Sequence, residues 1–289
     1  MSESYYYCGF EIKSSFDFPE LERSFSTGDV PPISICSGDV KIPDRAELTR
    51  GPNWAVGVKE AYWWLDDIAK FRIAADGITV DAMPNAPTGL VRALTLEAPM
   101  IIAMQYRDAF CLTVSAVSDG KTVTAFRFLP GGGSSTAAAW QVCRKGPLSI
   151  VSDTLLRISS DDSGQPIAWP QGSGVLLWPK SQKLLGLEKH AKLEVRPELP
   201  LARFRLEDTR FPLPLKTIYT AALYRRLEAS PQDDQNIVQA RRPFRFSALR
   251  TAGRLWIDPM GRTPQHFAWC LAIARYCKIR TASFEGLYD

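Results

Sequence analysis

Leu112-Thr113-Val114-Ser115-Ala116-Val117, Asp119-Gly120, Thr122 to Phe128, Leu129-Pro130-Gly131-Gly132-Gly133, Ser134-Ser135-Thr136-Ala137-Ala138-Ala139-Trp140 and Leu148-Ser149-Ile150-Val151-Ser152-Asp153 form the stretch on which the fold turns. The first run alternates as a strand, Asp-Gly is a strong hairpin signal, and Thr122 to Phe128 alternates as the return strand. A triple glycine then leads into a helix that begins on hydroxyl residues, which favour the first turn. Leu148 to Val151 reads as a further strand, ending at Ser152-Asp153. Strand, glycine loop, helix, strand and acid is the order of a phosphate-binding loop. Glycines let backbone N–H groups converge on an anion, and the helix N-terminus adds partial positive charge. A hydroxyl after the loop and an acid at the next strand's end are the usual holders of Mg²⁺. The loop departs from the working pattern G-x-x-x-x-G-K-[ST]: the first glycine is Phe128 and the lysine is Ser134. On this reading Gly131, Gly132, Gly133, Ser134, Ser135 and Thr136 are the phosphate-cradle candidates and Ser135 and Asp153 the candidate metal ligands. Arg127 is the candidate to replace the lysine's charge, with Lys121 and Lys145 more distant.

Outward from this stretch the chain changes texture. Residues 1–108 read as short strands between Pro, Gly and Asp turns, among them Gly9–Ile12, Ile33–Cys36, Phe71–Ile73 and Ile78–Val80. A helical piece follows Thr88, from Val91 to Met104. Residues 109–200 alternate strand, loop and helix, which argues α/β. Two more helices are predicted, over Leu215–Ala229 and over Gln265–Lys278, the second with Phe267, Leu271, Ala274 and Cys277 on its apolar face. Trp63, Trp64 and Trp178 are read as core anchors or as the lining of a peptide groove.

The chain's 289 residues suffice to bury a core, and 45% apolar with 23% charged residues is an ordinary globular balance. A net charge of +4 gives no footprint for nucleic acid. That figure conceals a basic C-terminal part: residues 225–280 hold eleven basic and four acidic side chains. Arg241, Arg242 and Arg245, with Phe244 and Phe246 between and after them, are candidates to grip an acidic or phosphorylated partner. The six cysteines are scattered without a C-x-x-C pair, which argues for free buried thiols in a reducing compartment rather than a zinc site or disulfide framework. Cys270 and Cys277 share one helix face. The two histidines, His190 and His266, leave no room for a His-rich metal site. No signal-peptide pattern opens the chain, and no run approaches the roughly 18 apolar residues that span a bilayer. A cytoplasmic protein without a membrane partner is expected.

The motifs together resemble the HPr kinase-related family, in particular its short members found with lasso-peptide and related peptide-modification genes. The resemblance covers residues 5–230. It runs from Tyr7-Cys8-Gly9-Phe10-Glu11-Ile12-Lys13-Ser14 and Phe71-Arg72-Ile73 to Leu112-Thr113-Val114-Ser115-Ala116-Val117, which is similar to the family's L-H-A-S-A-V. It continues through the glycine loop, Ser152-Asp153-Thr154-Leu155-Leu156-Arg157-Ile158, Leu176-Leu177-Trp178-Pro179 with Leu185-Gly186, and Pro212-Leu213-Pro214-Leu215-Lys216-Thr217-Ile218-Tyr219. It implies an α/β fold: a P-loop kinase core of the HPr kinase / phosphoenolpyruvate-carboxykinase-like type over residues 109–289, behind a small β-rich domain over 1–108. It also implies ATP and Mg²⁺ as cofactors where the site is retained, a serine on a peptide or protein as substrate, and a homo-oligomer. The catalytic positions it implies are Thr113, Asp153 and Thr154. At these positions the chain departs: the family histidine is Thr113, the second acid is Thr154, and Phe128 and Ser134 interrupt the loop. Phosphoryl transfer depends on stabilising the charge of the transferred group, so four substitutions in one mechanism imply a pseudokinase. The alternative is an active ATP/Mg²⁺-dependent serine kinase, or another transferase of ribosomal peptides, with a non-standard loop. A loop collapsed under Phe128 favours the first and an open anion-binding nest the second.

Overall fold

The computed structural model describes residues 3–23, 30–128, 131–144, 146–194, 200–221 and 254–282. Its first sheet is built from β1 (Glu3–Tyr7), β2 (Phe10–Ser14), β3 (Glu22–Arg23), β4 (Ile33–Ser37), β5 (Thr49–Arg50), β6 (Trp54–Val56), β7 (Glu60–Leu65), β8 (Ala69–Ala74) and β9 (Gly77–Ala82). The order across it is β3-β1-β2-β4-β9-β8-β7-β6-β5. The hairpin β1–β2 closes on Cys8-Gly9, with φ of 51° and 79° and Tyr7 opposite Phe10. Two positive φ values give the turn the twist a two-residue hairpin needs. Helices α1 (Thr88–Thr95) and α2 (Ala98–Tyr106) follow. The predicted helical piece is thus two helices, broken ahead of Pro99, whose missing N–H suits a first turn. Met100, Ile102, Ala103, Met104 and Tyr106 are all buried, because α2 packs against both β8 and β10 and so is apolar all round.

The second half runs β10 (Phe110–Leu112), β11 (Ser115–Ser118), β12 (Val123–Arg127), α3 (Ser134–Arg144), β13 (Ser149–Ser152), β14 (Leu156–Ser160), β15 (Pro166–Trp169), β16 (Val175–Leu177), α4 (Pro179–Leu185), β17 (Lys192–Glu194), β18 (Ala202–Phe204), β19 (Leu213–Ala221), α5 (Arg254–Ile257), α6 (Thr263–Tyr276) and β20 (Lys278–Ala282). The second sheet has the order β10-β14-β15-β19-β12-β11-β13, with β20 also paired to β19, and β16-β18-β17 form a small third sheet. The second sheet is mixed. Strand β12 is antiparallel to β11 and parallel to β19, and β13 joins antiparallel to β11. The architecture is mixed α/β with several sheets and few helices.

Helix α3 covers one face of the second sheet, where Ala137 and Ala138 meet Val117, Phe126 and Ile150. Helix α6 covers the other, where Cys270 and Ile273 meet Val123, Ala125 and Ile218. Burial on both faces explains why β11 is closed to solvent at every residue. Two expectations are corrected here. Leu215–Ala221 is strand, not helix: Thr217, Ile218, Tyr219 and Thr220 suit a pleated surface, and β19 lies inside the sheet with β12, β15 and β20 as neighbours. Helix α6 forms, but it buries Cys270 and Ile273 while Phe267 and Leu271 stand 48% and 50% exposed. Cys270 and Cys277 are buried as expected; Cys36 and Cys143 are exposed. The core beneath the first sheet also takes in Cys111, Leu155 and Met260, so it crosses the boundary placed at residue 108.

Candidate functional site

The hairpin β11–β12 carries the chain to the glycine loop. Asp119 accepts hydrogen bonds from the amides of Lys121 and Thr122 and closes the connection, which holds its carboxyl below the usual range. At the far end of β12, Phe128 is half-buried against the core of Val117, Phe126, Ala137 and Ile150, its ring edge-on to Phe126 at 6.2 Å. The Phe128 amide donates to the Ser134 hydroxyl at 3.1 Å, which ties the strand end to the first residue of α3. Gly131 and Gly133 take φ of 78° and 83°, conformations that favour glycine. The Gly133 carbonyl accepts the Ala137 amide at 2.8 Å and starts the helix. Thr136 is bonded to Ser181 of α4 through their hydroxyls, 2.7 Å apart.

Asp153 is fully buried at the end of β13. Its Oδ1 accepts the Ser115 hydroxyl at 2.6 Å and its Oδ2 the Leu176 amide at 2.8 Å. Ser135 at the start of α3 and the Arg203 guanidinium lie near enough to favour its charged form. Burial raises the Asp153 carboxyl above its ordinary value, against the opposing pull of these donors. The Asp153 amide donates to Gln171 Oε1 at 2.7 Å. Both carboxylate oxygens therefore already face donors, and the carboxylate has no exposed surface. A magnesium-type cation is held by one or two carboxylates and keeps several of its waters; a carboxylate with no exposed surface leaves no room for that hydrated ion, so the pair Ser135 and Asp153 does not fit it. Among the described residues no cluster of three or more His, Cys, Asp or Glu side chains is arranged to hold a metal.

The remaining candidates are dispersed. Thr113 is exposed in the break between β10 and β11, and it is Ser115, two residues on, that reaches Asp153. Arg127 shares a strand face with Val123 and Ala125, the face covered by α6, so it points away from α3 and its loop. Burial lowers its guanidinium pKa, against a smaller opposing pull from Cys270 on α6. Trp63 packs on Phe71 and Trp64 on the cluster around Val40 and Leu48, whereas Trp178 is 51% exposed at the start of α4. Arg241, Arg242 and Arg245, and Lys145, lie outside the described residues.

Thr154 takes φ of 79° and is exposed. A β-branched residue in the left-handed region is a true outlier, whereas Asn, Asp and Gly are at home there. Thr154→Asn is expected to stabilise the protein by about 0.5–1 kcal/mol, read as a higher denaturation midpoint at unchanged m-value.

Asp208 sits where residues 207–209 pair with the outer edge of β13: Ile150 donates to the Glu207 carbonyl and Thr209 to the Ile150 carbonyl. Burial, then the Glu22 carboxylate, push the Asp208 carboxyl up to about 6, against Arg205 and Arg203. A carboxyl raised in the folded state is disfavoured when charged, so its cost is present above pH 6 and disappears as pH falls toward its unfolded value. Asp208→Asn is expected to stabilise the protein by about 1–2 kcal/mol at pH 7.5, allowing for partial solvent exposure. The gain should shrink toward pH 4, as thermal melts across that range would record.

No protein-family model matches the chain, and no curated protein does. Among solved structures, the HPr(Ser) kinase/phosphatase from Coxiella burnetii matches at 12% identity over 43% of this chain and 72% of that one, with a TM-score of 0.28. A likeness of that extent carries no argument about function. Among the described residues no helix is long and apolar enough to cross a membrane.

Proposed function

We propose that the protein is a kinase-like scaffold without phosphotransfer, a pseudokinase that binds a peptide or protein partner in a lasso-peptide-type or regulatory pathway. The observation that carries this reading is the Asp153 carboxylate, closed to solvent and engaged by the Ser115 hydroxyl and the Leu176 amide. A base or metal ligand needs a lone pair directed at its substrate or ion, and this acid directs both oxygens inward. The Phe128–Ser134 bond supports the same reading, since it ties the residue at the family's lysine position to the strand end, where no cation stands to reach a phosphate. The four departures at Thr113, Phe128, Ser134 and Thr154 remove, in the family's terms, the base, the turn, the cation and the second acid.

The test is transfer of labelled γ-phosphate from ATP, with Mg²⁺, to a serine-containing peptide by the full chain. The expected result is no label above a protein-free blank. Label on serine that Asp153→Asn abolishes would overturn the proposal and favour the alternative, an active kinase with a non-standard loop.

A further inference from the structure

The β1–β2 hairpin is linked to Asp153 through Gln171. Tyr7 and Gln171 are each 2% exposed. Gln171 Nε2 donates to the Tyr7 hydroxyl at 2.9 Å, and that hydroxyl donates to the Leu96 carbonyl at 3.2 Å. The other end of the same amide, Oε1, accepts the Asp153 amide, and the Gln171 backbone amide donates to the Val151 carbonyl at 2.7 Å. One buried side chain thus joins the first sheet to the peptide of Asp153. The tip itself is clamped. The Arg157 guanidinium lies between the rings of Phe10 and Trp169, 4.3 and 4.6 Å from their centroids, and donates to the Cys8 carbonyl at 3.1 Å. Leu155, next to the strained Thr154, turns its carbonyl toward the Cys8 thiol. The strained residue therefore stands between two tethered points, and strain of this kind persists only where the surroundings over-determine the backbone.

We propose that Tyr7 and Gln171 are positioning residues for the Asp153 turn, so that the first sheet sets the conformation of the Asp153 hydrogen-bond network. The inference goes beyond the proposed function, because it holds whether or not a nucleotide enters the loop. It also gives a partner bound on the first sheet a route to Asp153 through one hydrogen-bonded chain. Residues acting in one network are expected to be non-additive.

The experiment is amide hydrogen exchange of the full chain, with NMR titration of the Asp153 carboxyl carbon, for Tyr7→Phe, Gln171→Met and the double variant. Tyr7→Phe should accelerate exchange at the Asp153 amide about tenfold, the equivalent of one net hydrogen bond, and shift the Asp153 titration. Amides inside α1 and β8 should stay within twofold, and the double variant should exchange at Asp153 no faster than Gln171→Met alone. Exchange at Asp153 within twofold of the parent in Tyr7→Phe would overturn the inference. So would equal acceleration of all amides, strictly additive effects, or an unshifted Asp153 titration.

Discussion

Asp153→Ala is expected to destabilise the protein by about 3 kcal/mol, a fall in melting temperature of roughly 5–10 °C. The substitution leaves the Ser115 hydroxyl and the Leu176 amide without an acceptor in a site sealed from water. Each stranded donor costs about 1–3 kcal/mol, and the space left by the carboxyl adds to that. Asp153→Asn should cost less, because its amide oxygen still accepts one donor while its NH₂ opposes the other. The ranking, parent above Asn above Ala, is the signature of a structural hub. A working kinase makes the opposite bargain, holding its acid open to a metal, so that the Asn variant folds as well as the parent and loses only transfer. Circular-dichroism melts of the three proteins separate the two. An Asp153→Ala protein as stable as the parent would show that the buried hydrogen bonds contribute nothing.

Gly9→Ala is the second large effect, expected at about 3 kcal/mol or more. Gly9 has φ of 79°, and a Cβ built on it would sit 2.2 Å from Trp169 Cε3 and 2.6 Å from Arg157 Nη1. Neither neighbour moves aside cheaply: the indole donates to the Ser159 hydroxyl at 2.8 Å and the guanidinium is held between two rings. Gly131→Ala makes the contrast. Its φ is 78°, but an added Cβ meets nothing within 4 Å, so only the backbone penalty of about 1 kcal/mol applies. The sensitive glycine is therefore the one in the first sheet's hairpin, not the one in the glycine-rich loop. Urea denaturation of both variants checks the order, and equal midpoints would contradict it.

Local features were legible in the sequence. The hairpin around Asp119-Gly120, the helix starting at Ser134 and the strand ending at Ser152 all fall close to where residue type places them, because turn chemistry and hydroxyl-rich first turns act over a few residues. Where neighbours distant in sequence decide, the reading failed. Leu215 and Ile218 have helical spacing, yet flanking strands make the segment a strand. From Phe267 to Ala274 every residue of α6 is apolar, so spacing alone could not choose between the Phe267–Leu271 stripe and the Cys270–Ile273 stripe. Arg127 is next to the loop in sequence, but strand alternation turns it to the opposite face. The partners that define Asp153 — Ser115, Gln171, Leu176 and, through Gln171, Tyr7 — come from four separate segments. Of the residues around Asp153, only Ser115 and Ser135 lay within a stretch already singled out for chemistry, and no local pattern links Ser115 to Asp153.

The most direct test of the closed Asp153 network is calorimetric titration of ATP with Mg²⁺ into the full chain. The network predicts no saturable heat up to about 1 mM nucleotide, a free energy of about −4 kcal/mol at that limit. Saturable binding in the micromolar range, lost in Ser135→Ala, would contradict it.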